Sequence, residues 1–411
     1  MQNNIIITLF ILQISIGNLA RILPLPIKFG NISLIEILLY LSVIIYAVIQ
    51  KKIIEFISQY YMCLFLLLLS GIIGVARVGF DVKSISYLIR LILILLSGYC
   101  ICHALYGKFL HKMEKVFYVI VCGYFVNIVL GYVIYFIFPD SIELWMALSL
   151  MGIEFKGDPH QSRFVSTYLD PNFFAVIACI PLIMSFYLLR RNYHKKFSVI
   201  MIVLLIITEF CTLSRSGIAT FIITGLILLR EDIYLFVHKM KLRKSIFGYC
   251  IWGAIITAVL CILNWDTAVR LMERFHDMER DPSALHRADS FQEGLDVLSE
   301  YMILGIGYNF SDTFELSIDS SVLLLTVCFG VLIFSVFVII FFVYSWNIIC
   351  RNDEIEKSYW YYLLIVIFFS SFFNQLLTYP YWLLPYITIT LYLNKIQCDE
   401  SYMQEKIKNG E

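Results

Sequence analysis

The chain has 411 residues, of which 60% are hydrophobic, 16% aromatic and 15% charged, and such a composition cannot surround itself with an ordinary polar surface. Thirty-one basic and thirty-one acidic residues leave a net charge of zero, so the charge gives no reason to expect nucleic acid as a partner. The eleven cysteines are odd in number, sit mostly in apolar runs and include no CxxC pair, so no disulfide framework or zinc site is implied.

Windows of about twenty mostly apolar residues, enough to cross roughly 30 Å of hydrocarbon, recur along the chain. They predict membrane helices over residues 4–20, 33–50, 57–76, 86–106, 116–138, 172–189, 197–213, 216–229, 245–264, 320–345, 358–377 and 380–394. The expected fold is all-α: one integral membrane domain over residues 1–411, polytopic, with about twelve transmembrane helices. Lysine and arginine set the orientation, because cytoplasmic connections carry the excess of positive charge. With the amino terminus inside, nineteen basic residues fall on the inner side and eleven on the outer, so both termini are expected in the cytoplasm.

Two connections, about residues 139–169 and 265–319, then face outward and are too long to be turns. Loops of that kind on a rigid scaffold tend to carry functional residues. Within the second, Asp281, Pro282 and Ser283 read as a helix start. Phe291, Leu295, Leu298 and Met302 follow at helical spacing, and the pattern stops before Gly305 and Gly307. This predicts a short amphipathic helix lying on the membrane surface.

Ionisable groups inside spans are costly, and those of this chain share one side. Glu36, Arg90 and Glu209 fall in the outer halves of their spans, Asn374 and Gln375 lie at the outer end of the eleventh, and Asp170 with Asn172 opens the sixth. Singly, each reads equally well as a snorkelling or structurally paired group. Together they point to a site reached from outside.

Two strings are sharper. In RFVSTYLDPNFFA, residues 163–175, Pro171 stands where a helix tolerates a missing amide and Asp170 where a side chain can cap it. In TLSRSG, residues 212–217, hydroxyl residues flank Arg215 in a connection only a few residues long. These strings resemble the O-antigen polymerase and ligase superfamily, through Arg163, Pro171, Asn172 and Ala175, then Ser214, Arg215 and Gly217, then Arg287 with Gly305 and Gly307 in LGIGYNF. The resemblance covers residues from about 160 to 345. Ligases of this kind usually have a His-Asn pair where the chain re-enters the membrane after the long loop; here the stretch is Asp319, Ser320 and Ser321.

The resemblance implies a Wzy-type polymerase of polysaccharide biosynthesis, for an O-antigen of lipopolysaccharide or a capsule, in the bacterial inner membrane. Such a glycosyltransferase moves a growing glycan from undecaprenyl pyrophosphate to a lipid-linked acceptor, with membrane lipid around it and a chain-length regulator protein as a partner. It must stabilise a departing pyrophosphate, for which an always-charged guanidinium fork is suited. Arg163, Arg215 and Arg287 are the expected catalytic arginines. His286, Asp170 and Asp319 are candidates for the base, with Asn172, Ser214, Gly305, Gly307, Tyr308 and Asp319 expected around the substrate. The outward loops contain no Asp-x-Asp pair of the kind that holds a divalent metal, so transfer without a metal or other cofactor is expected. An O-antigen ligase is the second reading. A lipid-linked oligosaccharide flippase is the third, although transporters usually show two similar halves with a site near the midplane.

Reporter fusions after residues 160 and 290 should report an outside location, and fusions after residues 112, 194 and 241 an inside one. Reversal at either long loop would remove the basis for an outward-facing site.

Overall fold

The computed structural model describes residues 2–21, 32–109, 112–138, 163–239, 282–308, 318–349 and 354–409, with single positions in 143–149 and residue 269. The expected span 245–264, most of the loop 139–169, and Arg270, Arg274, His276 and Arg280 lie outside the described residues. Every regular element among the described residues is helical: α1 (Gln2–Ile16), α2 (Leu34–Ile49), α3 (Lys52–Val78), α4 (Val82–Phe109), α5 (Met113–Ile137), α6 (Pro171–Ile177), α7 (Cys179–Arg190), α8 (Lys195–Thr212), α9 (Arg215–Lys239), α10 (Pro282–Glu300), α11 (Ser321–Ile349), α12 (Glu354–Phe368) and α13 (Pro380–Asn409). Short 3₁₀ turns follow α1 at Gly17–Arg21 and α12 at Ser370–Phe372.

Six of these stretches are long and apolar enough to cross a membrane: Gln2–Leu19, Lys52–Val78, Val82–Phe109, Met113–Ile137, Pro171–Arg190 and Ser321–Ile340. The shorter α2 is also apolar. The all-helical expectation holds among the described residues, whereas only six of the expected twelve or so spans are met there on length and composition. The physical reason is visible in α8, which carries Lys195, Lys196 and Glu209 within 18 residues.

The centre of the bundle is the rod made by α6 and α7. Pro181 has no N–H to give to the carbonyl of Ile177, which divides the helix there, yet Ala178 keeps right-handed helical angles and the two pieces run on together. From Phe174 to Leu189 every residue is buried, and a helix apolar all round belongs in the middle of a bundle. Helix α7 packs on α5 and α8, α6 on α9, α1 among α2, α4 and α5, and α4 along α13.

The eleventh expected span, 358–377, is corrected by the structure: α12 stops at Phe368, and residues 369–379 form a 3₁₀ turn and an irregular connector. Ser320 and Ser321 hydroxyls bond backbone groups of this connector, and its Gln375 amide bonds the Ile318 carbonyl, so side chains satisfy groups that a continued helix would have paired. Ser321 Oγ donates to the Asn374 carbonyl at 2.8 Å and accepts from the Leu377 N–H at 3.2 Å.

Helix α11 is broken at Gly330, where φ is +71°. The segment after α10 repairs the break: Ile306 and Gly307 N–H groups donate to the carbonyls of Val327 and Cys328, and Val331 and Leu332 donate back to Met302 and Ile303. Gly305, at φ +65°, lies so close that a Cβ there would sit 2.3 Å from the Gly330 nitrogen.

Glu36 and Arg90, expected as buried charges, form a pair. Arg90 donates from Nε to Glu36 Oε1 at 2.6 Å and from Nη2 to Oε2 at 2.8 Å, and Tyr40 adds a third donor at 2.6 Å. Both charged side chains are enclosed between α2 and α4. Arg90→Met alone strands the Glu36 carboxylate and should cost about 3–5 kcal/mol, seen as loss of folded protein from membranes. The double change Glu36→Gln, Arg90→Met should recover most of it; no recovery would mean that the guanidinium holds the fold by other contacts.

Candidate functional site

The expected strings meet at one end of the bundle. Helix α8 ends with unpaired carbonyls, as every helix does, and the residues just before α6 satisfy them. The Phe164 N–H donates to the Cys211 carbonyl at 2.8 Å, and Arg163 Nε donates to the Thr212 carbonyl at 2.7 Å. A guanidinium at a helix C-terminus also complements its dipole. Arg163 is buried, and its Nη2 donates to Asn172 Oδ1 at 2.9 Å. Asp170 caps α6 as expected, its Oδ1 accepting from the N–H groups of Asn172 at 2.7 Å and Phe173 at 3.1 Å.

The turn from α8 to α9 is tight. Leu213 takes a left-handed conformation, and buried Ser214 caps α9 by accepting the Gly217 N–H at 3.3 Å. Arg215, half-buried, is the first residue of α9. Gly217 packs against the first string, since a Cβ there would stand 2.1 Å from that of Ala175. Glu209 points to the same seam; it is 2% exposed, its Oε1 lies 3.2 Å from where that Cβ would be, and neither carboxyl oxygen has a hydrogen-bond partner among the described residues.

Helix α10 begins at Pro282, where Asp281-Pro282-Ser283 predicted a start, and carries Arg287. Arg287 Nε lies 3.7 Å from Asp319 Oδ2, both groups being partly exposed, and the Asp319 N–H donates to Ser290 Oγ at 3.4 Å. Burial pushes the Asp170 carboxyl up, against the pull of the Phe173 and Asn172 amides and of the Arg163 and Arg287 charges. His286 lies on α10, but its side chain is outside the described residues.

Gly305, Gly307 and Tyr308 sit in a different seam. A Cβ on Gly307 would stand 2.4 Å from the Gly74 Cα, the Tyr308 N–H donates to Ser70 Oγ at 2.8 Å, and the Tyr308 ring stacks on Phe329 at 5.6 Å. The segment after α10 packs its backbone on α11 at Gly305 and on α3 at Gly307, positions where a side chain has no room.

The connector between α12 and α13 also reaches the cluster. Asn374 Nδ2 donates to Ser216 Oγ at 3.3 Å, Ser370 and Thr220 hydroxyls meet at 2.5 Å, Ser320 Oγ donates to the Ser371 carbonyl at 3.2 Å, and Gln375 Nε2 donates to the Ile318 carbonyl. Asn374 and Gln375 were legible as polar groups near a span end, but their place beside the Arg215 turn was not. The signal that could have found it is SSFFNQ, a polar interruption of an apolar run.

Among the described residues no group of three or more His, Cys, Asp or Glu side chains stands close enough to share a metal ion. The cluster offers guanidinium groups for phosphate oxygens, carboxylates for a hydroxyl proton, and neutral hydroxyls and amides around them.

Arg163→Lys keeps the charge but loses the geometry that joins the Thr212 carbonyl to Asn172. It should cost about 1–3 kcal/mol, the penalty for an unsatisfied buried polar group, and lower the thermal midpoint in detergent. An unchanged midpoint would show that the guanidinium does not hold the end of α8.

Residues 200–327 match the family model described as O-antigen ligase. No curated protein and no solved structure matches the chain. The matched segment starts inside α8, takes in Ser214, Arg215, Arg287 and Asp319, and ends in the first turns of α11, while Arg163, Asp170 and Asn172 precede it. The match over residues 200–327 is consistent with the O-antigen polymerase and ligase superfamily.

Proposed function

We propose that this protein is a polysaccharide repeat-unit polymerase, a membrane glycosyltransferase that moves a glycan from undecaprenyl pyrophosphate to a lipid-linked acceptor at the outer face of the bacterial inner membrane. The observation that carries the reading is the meeting of the first string with the Arg215 turn at the end of α8, where Arg163 bonds the Thr212 carbonyl and Asn172 and Gly217 packs against Ala175. Arginines gathered at a membrane surface, where water is scarce, suit a departing pyrophosphate, because charge-assisted bonds gain strength there. Arg215 and Arg287, both half-buried, are the ones assigned to pyrophosphate. Arg163 spends at least two N–H groups on Thr212 and Asn172, which makes it the rigid wall of the site.

For the proton of the acceptor hydroxyl, Asp319 is the better-placed acid. Its carboxylate is partly exposed and its charge is balanced by Arg287. Asp170 is already committed to the amides of α6. The family match is compatible with a ligase as well as a polymerase. The Asp319-Ser320-Ser321 stretch, in place of a His-Asn pair, favours the polymerase.

In a deletion strain the polymerase reading expects lipid A core capped with a single repeat unit, whereas the ligase reading expects none attached and a flippase reading expects units stranded on the cytoplasmic leaflet. Arg215→Lys should abolish polymer, since it keeps the charge and loses the fork. Arg287→Ala should reduce polymer severely and Arg280→Ala, with the same charge change, should leave the lipopolysaccharide ladder nearly intact at equal protein level. Equal loss in the last two would sink a specific role for Arg287.

A further inference from the structure

Beside the charged cluster lies a pair of aromatic rings that phosphate chemistry does not use. Phe173, the residue after Asn172, stacks on Tyr379 with ring centroids 4.3 Å apart and planes 20° from parallel. Both rings are half-buried, unlike the core aromatics Tyr168 and Tyr381 behind them. The pair is held from behind. Asn18, itself buried, donates from Nδ2 to Tyr379 Oη at 3.1 Å and to the Tyr168 carbonyl at 2.7 Å. The Tyr379 hydroxyl in turn donates to that carbonyl at 3.5 Å, and Tyr168 and Tyr381 crowd the ring at 6.5 and 5.3 Å. A half-open aromatic surface fixed in this way has already lost the freedom that binding would otherwise remove.

Its neighbours are of two kinds. Asn172 joins it to Arg163, and the connector that carries Tyr379 also carries half-buried Gln375 and buried Asn374. Arg287 and Asp319 pair at α10, while neutral amides and hydroxyls line the connector. An aromatic face edged by neutral hydrogen-bonding groups suits a ring with apolar C–H faces and a rim of hydroxyls.

We propose that Phe173 and Tyr379 form the platform on which a sugar ring of the lipid-linked glycan stacks, next to the arginines that hold its pyrophosphate. The proposal rests on the glycan-transfer reading and names the saccharide subsite of the same site. The α12–α13 connector thereby becomes a determinant of which sugar is accepted, and the arginines remain indifferent to it. Discrimination follows from the ring face and from amides that lose a partner when a hydroxyl is missing or inverted.

The test uses the full-length protein in nanodiscs and two probes: undecaprenyl-pyrophosphate-linked oligosaccharide extracted from the native host, and bare undecaprenyl pyrophosphate. Tyr379→Leu and Phe173→Leu should each weaken binding of the glycan probe about three- to tenfold, the range expected for an aromatic stacking contact, and leave the bare probe unchanged. Tyr379→Phe should restore glycan binding. Equal weakening for both probes, or none for either, overturns the platform. A second measurement needs no variant: saturation-transfer NMR on the wild type, with the oligosaccharide released from its lipid, should carry magnetisation from aromatic protons to one face of one sugar, and absence of transfer overturns the proposal. If the wild type binds the glycan probe no better than the bare lipid, the glycan-transfer reading itself fails, an outcome distinguishable from failure of the leucine variants.

Discussion

In a bundle of apolar helices, each place where the backbone leaves the helix must find partners for its exposed N–H and C=O groups inside the protein, because lipid supplies none. This constraint organises the molecule. The end of α8 is satisfied by Arg163 and Phe164, the break in α11 by residues 302–307, and the connector after α12 by Ser321 and Ser320. Each repair comes from a segment distant in sequence. The repairs therefore tie together the parts of the chain that carry the motifs, and the same backbone demands that shape the fold assemble the site.

That origin explains the division of labour among the arginines. Arg163 holds the end of α8, so its position is set by the fold before any ligand arrives. Arg287 lies on α10 and is balanced by Asp319 across 3.7 Å, a partly exposed pair that contributes little to holding the fold. Arg90 is the opposite case. Doubly bonded to Glu36 and buried, it is a structural charge, although it shares the same half of the chain's polar groups.

The glycines divide the same way. Gly217 permits the first string to lie against the Arg215 turn, at the site itself, while Gly305 and Gly307 serve the seam of α11 and α3. The Gly-x-Gly of the outward loop is approached closely by the backbones of α11 and α3. The repair of α11 also anchors the foot of α10 and so fixes where Arg287 is presented.

Much of this was readable from residues 1–411 alone. Apolar windows of about twenty residues located most of the described helices, because burial of apolar side chains and a span's length are local properties of the chain. The capping of α6 by Asp170 and the start of α10 at Pro282 were equally local, since a cap is made within four residues. Only the tertiary structure decided which buried charge has a partner: Glu36 meets Arg90 54 residues away, while Glu209, read in the same terms, meets none among the described residues. It also decided that residues 369–379 leave the helix to join Ser216 and Ser321, and that Phe173 stacks on Tyr379. Periodicity records which face of a segment is apolar and says nothing of which distant segment supplies the missing hydrogen bond, and in this protein those long-range bonds build the site.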